Sequence, residues 1–178
     1  SVFNPDPLGA LRSRCVRGVE FVRDSLAELN AELAAHGSAL IVRQGSAREE
    51  MPRLARELGA GAVFANREYE PESIARDAAV ARSLAAGGID FRTRKDHVVF
   101  EKDEVQGATG KPLSVFSAYR KVWLRRLVPF FHEPYPVHRH LGALARMPAA
   151  AVPEPAQLGL ERTTLARLGL PAGGSAAN

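Results

Sequence analysis

A chain of 178 residues, 46% hydrophobic and 25% charged, has the size and composition of one ordinary globular domain. No hydrophobic run approaches the roughly 20 residues of a membrane-spanning helix, and the first residues lack the pattern of a secretory signal. The net charge of +4 permits an anionic partner without requiring one. The single cysteine, Cys15, excludes an internal disulfide, so we expect a protein of the reducing cytoplasm.

The first part of the sequence alternates predicted helices with predicted strands. Apolar residues at steps of three and four indicate a helix that ends near Gly37, with an inward face of Val19, Val22, Leu26, Leu29 and Leu33. Residues 39–42 form a short apolar run that is typical of a buried strand. Ser46, followed by Glu49 three residues later, predicts the capped start of a second helix.

The same alternation continues to about residue 92. Residues 62–65 and 89–91 predict two more strands, and Pro71 opens a third helix that runs to about residue 86. Because strands joined by single helices lie parallel, the sequence predicts an α/β, Rossmann-like fold: an open parallel sheet with helices on both faces. Ligands of such sheets bind beyond the carboxyl ends of the strands, here after Phe3, Val42, Ala65 and Phe91.

Beyond residue 92 the pattern changes to one aromatic helix and a tail. One helical face is predicted for Val115, Phe116, Tyr119, Trp123 and Leu127, with basic residues beside it. From about residue 148 the residues Ala, Pro and Gly dominate, which is typical of a linker. The general catalytic motifs do not occur in the sequence, and His138 and His140 have no evident third ligand, so we predict no metal site.

Several motifs, in the correct order, resemble those of the photolyase and cryptochrome family. Residues 66–71 read Asn-Arg-Glu-Tyr-Glu-Pro and precede Arg76-Asp77, which is similar to the family's Tyr-Glu-Pro…Arg-Asp signature. The sequence of residues 95–101 leads through Glu104 to Gly-Lys-Pro at 110–112, and residues 114–123 then resemble the family stretch that ends in Trp. Several separate motifs in one order are far more specific than any one of them.

This resemblance covers residues 1–147 and implies the N-terminal antenna domain of a bacterial deoxyribodipyrimidine photolyase. In that family a larger helical domain holds FAD and damaged DNA, and it cleaves cyclobutane pyrimidine dimers with light. We expect residues 148–178 to be the linker towards that absent domain, and we predict no catalytic residue in this chain. Family members open with the central strand of the sheet, whereas this chain opens at what resembles the second strand. A preceding segment, another chain or a different strand pairing would complete the sheet, and exposed edges would favour a homo-oligomer.

The resemblance also implies either an antenna pigment, for which deazaflavin, FMN and methenyltetrahydrofolate are the candidates, or an empty antenna site, as in some members of the family. A carboxylate at Asp103 falls where deazaflavin-binding relatives place one, and it can accept hydrogen bonds from ring N–H groups. The turn at residues 109–111 lacks the Asn and Glu side chains of folate-binding relatives, which disfavours folate. The positions that match the family's pigment-binding residues are Phe3, Asn4, Asp6, Arg17 and Asp103.

Two other functions fit the same sequence. A cryptochrome-type photoreceptor shares this domain with the photolyases. A free-standing nucleotide- or flavin-binding module is the other alternative, because Leu113 replaces the family tyrosine and Ser117-Ala118 replaces the usual Thr-Pro. In that module the basic, aromatic helix around Trp123 would serve as a docking face. A stop codon directly after Asn178 would favour the module over the photolyase.

Overall fold

The computed structural model describes residues 2–3, 16–131, 133–148 and 150–158 and contains four helices and four strands within those ranges. None of the described helices is long and apolar enough to cross a membrane. Three short 3-10 turns follow the last helix, at Pro129–Phe131, Val137–Ala143 and Pro155–Leu158. The main elements are β1 (Val2–Phe3), α1 (Val16–Ala35), β2 (Arg43–Gln44), α2 (Ala47–Glu57), β3 (Ala62–Asn66), α3 (Pro71–Ala85), β4 (Asp90–Arg94) and α4 (Phe116–Arg126).

The chain forms two compact units, the first of Ser1–Arg53 with Val137–Asn178 and the second of Leu54–Pro136. In the first unit β1 and β2 pair in parallel, with Val2 opposite Arg43 and Phe3 opposite Gln44. In the second unit β3 and β4 pair in parallel over five residues. The predicted Rossmann-like α/β class is therefore confirmed, with parallel strands in both pairs.

In the first unit, helix α1 ends as the sequence predicts, but the strand after it lies further along the chain. Gly37 adopts a positive φ of 74°, and the Ser38 N–H bonds to the Leu33 carbonyl at 3.0 Å, which closes the helix. The strand predicted at residues 39–42 is wrong, because the observed pairing starts at Arg43. Within residues 39–42 the Leu40 N–H donates to the Asn30 side chain of α1 at 2.8 Å.

The described part of the Ala/Pro-rich tail packs against α1. The Asn30 amide donates to the Ala150 carbonyl at 2.6 Å, Val152 is buried, and Arg23 forms an ion pair with Glu154. Residues 159–178 lie outside the described ranges. The predicted domain boundary at residue 147 stays a prediction.

In the second unit, helix α3 packs on β4 through a small apolar core. Val80 and Leu84 of α3 are buried, as is Ile89 at the start of the strand segment. Gly88 has a φ of 71°, which turns the chain from helix to strand, and the Ile89 N–H bonds to the Leu84 carbonyl at 3.0 Å. The strand predicted at residues 89–91 runs from Asp90 to Arg94.

An aromatic cluster forms the other part of this unit. The buried Phe100 ring lies 5.6 Å from Trp123 and 4.8 Å from Phe131, between ring centroids. The Lys95 ammonium stands 5.7 Å from the centre of the Phe100 ring and 5.3 Å from that of Phe131. The helix predicted around Trp123 is thus confirmed as α4, with Trp123 as its contact to Phe100.

Candidate functional site

A pocket of about 380 Å³ lies at the carboxyl ends of β3 and β4 in the second unit. The segment that follows β3 provides one wall, α3 provides a second, and Thr93 of β4 lies among the lining residues. This edge of a parallel sheet is where such folds bind ligands, because several chain segments converge there. The lining residues are Arg67, Glu68, Tyr69, Ile74, Asp77, Thr93, Glu101 and Lys102.

Arg67 forms hydrogen bonds to several of the chain segments that line the pocket. Its backbone N–H extends the β3–β4 ladder by bonding to the Arg94 carbonyl at 2.8 Å. Its guanidinium donates to the Glu101 carboxylate at 2.6 Å and to the Thr93 hydroxyl at 3.2 Å. One side chain thus joins the end of β3 to β4 and to the segment around Glu101, which fixes the donor and acceptor positions of the site.

Tyr69 presents a half-exposed ring whose hydroxyl faces Glu101. Its partly enclosed position raises the pKa of the Tyr69 hydroxyl, and the hydrogen bond and negative charge of Glu101 raise it further. The phenol therefore stays protonated above its usual range and remains a hydrogen-bond donor at neutral pH. Ile74, which is exposed on α3, adds an apolar surface to the same pocket.

Glu68 holds the pocket wall against α3. Its carboxylate accepts a hydrogen bond from Ser73 and lies 3.4 Å from the Arg76 guanidinium, which also bonds to Asp77 at 2.7 Å. The Ser73 hydrogen bond first, and then the Arg76 charge, lower the pKa of Glu68. The Arg-Asp pair of the sequence motif thus fixes the helix against the preceding segment.

A second polar group lies beside the pocket on the segment after β4. The Asn66 amide donates to the Asp96 carboxylate at 2.9 Å. Glu104 accepts hydrogen bonds from the Lys95 ammonium and from the Glu101 N–H, both at 2.6 Å. These two bonds, with Lys95 the larger influence, lower the pKa of Glu104. They fold residues 101–104 into the turn that places Glu101 in the pocket.

The pocket presents both apolar and acidic side chains. It offers the Tyr69 ring and Ile74 as apolar surface, and the Glu101 and Asp77 carboxylates as acceptors at its edge. Among the described ranges of the chain, no group of three or more His, Cys, Asp or Glu side chains is arranged to hold a metal ion.

The predicted pigment residues are only partly described. Phe3 lies in β1 opposite Gln44 and Arg17 lies in the first turn of α1, but their side chains fall outside the described set. Asn4 and Asp6 lie outside the described residues altogether. Asp103 is exposed in the turn directly after the pocket residues Glu101 and Lys102. All five assignments stay predictions.

The sequence motifs alone do not identify Arg67, Tyr69, Thr93 or Glu101 as site residues. Arg67 and Tyr69 belong to the family signature, and they follow the strand end after which the fold predicts a ligand. Their position directly after the strand is therefore the sequence feature that points to Arg67 and Tyr69 as site residues. Nothing in the sequence indicates that Glu101, 34 positions after Arg67, bonds to its side chain.

The comparisons with known proteins agree with the motifs. The sequence profile of the DNA photolyase family matches residues 2–138, so the chain belongs to that family. A deoxyribodipyrimidine photo-lyase of Synechococcus is 32% identical over 105 residues, which are 59% of this chain and 22% of that protein. A cryptochrome DASH of Natronomonas pharaonis is 34% identical over 101 residues, 57% of this chain and 21% of the relative.

A solved structure gives the same result for the fold. The archaeal photolyase from Sulfolobus tokodaii matches with a TM-score of 0.58 and 26% identity, over 71% of this chain and 28% of that one. Its crystal structure is described as holding two FAD molecules and implying a novel light-harvesting cofactor. The chain spans about a quarter of the length of these relatives.

Proposed function

We propose that this chain is the light-harvesting, cofactor-binding domain of a DNA photolyase. The observation that carries the proposal is the family match over residues 2–138, together with the small share of each relative that the chain covers. In the full-length protein, light-driven repair of cyclobutane pyrimidine dimers would take place on an FAD-binding domain that also binds the damaged DNA. Residues 148–178 would lead to that domain. A cytoplasmic location belongs to the same proposal.

The role of this chain would be to hold a planar pigment in a fixed place and orientation. When bound, such a pigment absorbs light and passes the excitation to FAD. The flavin-containing relative from Sulfolobus tokodaii supports a flavin-type pigment. We propose Phe3, Asn4, Asp6, Arg17 and Asp103 as the binding residues, with deazaflavin, FMN or methenyltetrahydrofolate as the pigment.

The neighbouring pocket supports a binding role for the segment that carries Asp103. Arg67 and Glu104 hold Glu101 in place, so the turn with Asp103 starts from a fixed point. A ring that contacts Tyr69 and Ile74 would meet carboxylate acceptors at its edge. Asp103 itself is exposed and free to bond to ring N–H groups.

Absorption spectroscopy tests the proposal directly. The purified chain is titrated separately with deazaflavin, FMN and methenyltetrahydrofolate, and the near-ultraviolet and blue bands are followed. We expect one pigment to bind with a shifted band and Asp103→Ala to weaken its binding about tenfold or more, since a lost charged hydrogen bond costs about 1.5–3 kcal/mol. The matched control is Glu72→Ala, which removes an exposed carboxylate on α3. A chain that binds none of the three pigments contradicts the antenna function.

A cryptochrome-type photoreceptor is the second candidate, because a cryptochrome DASH is as similar to this chain as the photolyases are. The full-length protein distinguishes the two functions. Light-dependent restoration of dimer-containing DNA indicates the repair enzyme, and a light-induced flavin signal without repair indicates the photoreceptor. A free-standing nucleotide- or flavin-binding module is the third alternative. Exposed strand edges would favour a homo-oligomer, which sedimentation of the purified chain checks.

A further inference from the structure

A groove of about 510 Å³ lies along the last turns of helix α1, within the first unit. Helix α1 forms one wall, and the 3-10 turn at Val137–Ala143 forms the other. Since α1 ends at Ala35, before β2 begins, the groove lies towards the edge at which the parallel strands start. The proposed pigment residues Phe3 and Asn4 belong to the opposite, carboxyl end of β1. The groove is therefore separate from the pigment site.

The walls of this groove are apolar. Leu29 and Leu33 stand one turn apart on α1, and Val137 and Leu141 line the opposite wall. Leu29 is 43% exposed and Val137 is 61% exposed, so large aliphatic side chains meet solvent here. The volume falls within the range of about 300–1,000 Å³ that is typical of small-molecule sites. The groove can therefore take up the apolar part of a ligand.

Hydrogen bonds hold the two walls together. Gly37 ends α1 with a φ of 74°, and its carbonyl accepts a hydrogen bond from the Met147 N–H at 3.2 Å. The Asn30 amide of α1 donates to the Ala150 carbonyl at 2.6 Å. The chain that follows the 3-10 turn is thus fixed to α1 at two points. A groove that is already formed costs a ligand little ordering free energy.

Three polar side chains, those of Glu32, His36 and His138, also line the groove. Glu32 lies in the last turn of α1, His36 follows directly after the helix, and His138 belongs to the other wall. Within the part of the chain that the structure describes, none of these three side chains has an ion-pair or hydrogen-bond partner. A carboxylate is only an acceptor, and a neutral imidazole offers one acceptor nitrogen. The groove therefore presents three acceptors and one negative charge.

The end of helix α1 also favours a positively charged group. The last carbonyls of a helix carry a partial negative charge, and α1 has no basic residue in its last turn. The Arg146 guanidinium lies beside Gly37, outside the set of residues that line the groove. We propose that the groove binds an alkylammonium ion, whose ammonium group donates to Glu32, His36 and His138 while its alkyl chain lies between the apolar walls.

The same residues disfavour other ligands. A fatty acid would place its carboxylate beside that of Glu32, and the two negative charges repel each other. A purely apolar partner would remove water from Glu32 without offering a hydrogen bond in return, which is costly. The proposal depends on neither the pigment nor the antenna function, because it concerns the other end of the first unit.

Three probes with the same alkyl chain test the charge of the ligand. Hexylammonium, hexanol and hexanoate are titrated into the full 178-residue chain at about pH 8, where the amine is charged and free imidazole is neutral. Nuclear magnetic resonance of the histidine rings follows binding. Hexylammonium should shift the resonances of His36 and His138 but not that of His97, which belongs to the second unit. Hexanol should bind at least about fivefold more weakly, and hexanoate more weakly still.

The length of the alkyl chain tests the apolar walls. Each buried methylene group contributes about fourfold in affinity, so butylammonium should bind about tenfold more weakly than hexylammonium. Equal affinities of butylammonium and hexylammonium would overturn the proposal, because the alkyl chain would then not be buried. Equal affinities of hexanol and hexylammonium, or a preference for hexanoate, would also overturn it, because Glu32 would then not select the ligand.

One pair of variants locates the site. Glu32→Gln removes the negative charge of the groove and should weaken hexylammonium binding about fivefold or more. The matched control is Glu72→Gln, which makes the same charge change on an exposed residue of α3 and should leave binding within about twofold. Equal effects of the two variants would overturn the proposal. Zn²⁺ that shifts the two histidine resonances while hexylammonium does not would make the groove a metal site and would overturn it as well.

Discussion

Leu84 is the residue on which the second unit depends most, and its truncation gives a direct test of the fold. The side chain is fully buried, with 0% exposure, where α3 packs on β4. The two elements that it joins carry Ile74, Asp77 and Thr93 of the pocket. Leu84→Ala should therefore destabilise the unit and loosen the pocket together.

The expected magnitude follows from the carbon atoms that are lost. Leu84→Ala removes three carbons, which at about 0.8 kcal/mol each correspond to about 2.4 kcal/mol of transfer free energy. The cavity left behind adds to this, since α3 and β4 can close it only in part, and we expect a total of about 3 kcal/mol. Leu124→Ala is the matched control, because Leu124 is 46% exposed and should cost less than about 1 kcal/mol.

Urea unfolding followed by Trp123 fluorescence measures the free energy of unfolding of both variants, because Trp123 belongs to the same unit as Leu84. At this chain length a loss of about 3 kcal/mol lowers the melting temperature by about 6–12 °C. A Leu84→Ala variant that loses no more stability than Leu124→Ala would refute the packing of α3 on β4. The pocket derived from that packing would then be wrong as well.

Two further predictions concern single contacts in the second unit. Glu104→Gln should lower the free energy of unfolding at neutral pH by about 0.5–1 kcal/mol, since Glu104 loses its charge opposite Lys95 but is partly exposed. Because the pKa of Glu104 is lowered in the folded state, the difference between variant and parent should shrink as the pH falls below 4.5 and vanish once Glu104 is protonated in the folded state as well. Glu133→Gln, on an exposed residue, is the control and should cost less at neutral pH. Gly88→Ala should lower the free energy of unfolding by about 1 kcal/mol or more, because Gly88 has a φ of 71°. Gly61→Ala is the control and should be neutral or slightly stabilising, because there is open space at the position of its Cβ. Equal effects of the two substitutions in thermal melts would contradict the backbone conformation of Gly88.

The periodic and capped parts of the sequence predicted the fold best. Helix α1 and the turn at Gly37, and helix α3 with Pro71 at its start, agree with the structure because their signals are local. The strand before α2 was misplaced because the hydropathy of residues 39–42 carries no information about Asn30, whose side chain accepts the Leu40 N–H. That contact joins residues ten positions apart along the chain.

The location of the pocket was predictable, but its residues were not. Parallel strands place a ligand site beyond their carboxyl ends, and the observed pocket lies after β3 and beside the end of β4. Its key contacts join Arg67 to Thr93 and Glu101 across 26 and 34 positions of the chain. Such pairings arise from packing of α3 and the 95–104 segment, which no local pattern encodes.

The contact of Trp123 with Phe100 distinguishes between two interpretations of helix α4. The sequence places Tyr119 and Trp123 on one face and basic residues beside it, which fits either a buried anchor or a docking surface. The structure divides the helix, because Trp123 packs edge-on against Phe100 while Arg120 and Lys121 remain exposed. Trp123 is thus the residue that anchors α4 to Phe100. Neutralising the exposed Arg120 and Lys121 should therefore leave unchanged the stability that Trp123 provides.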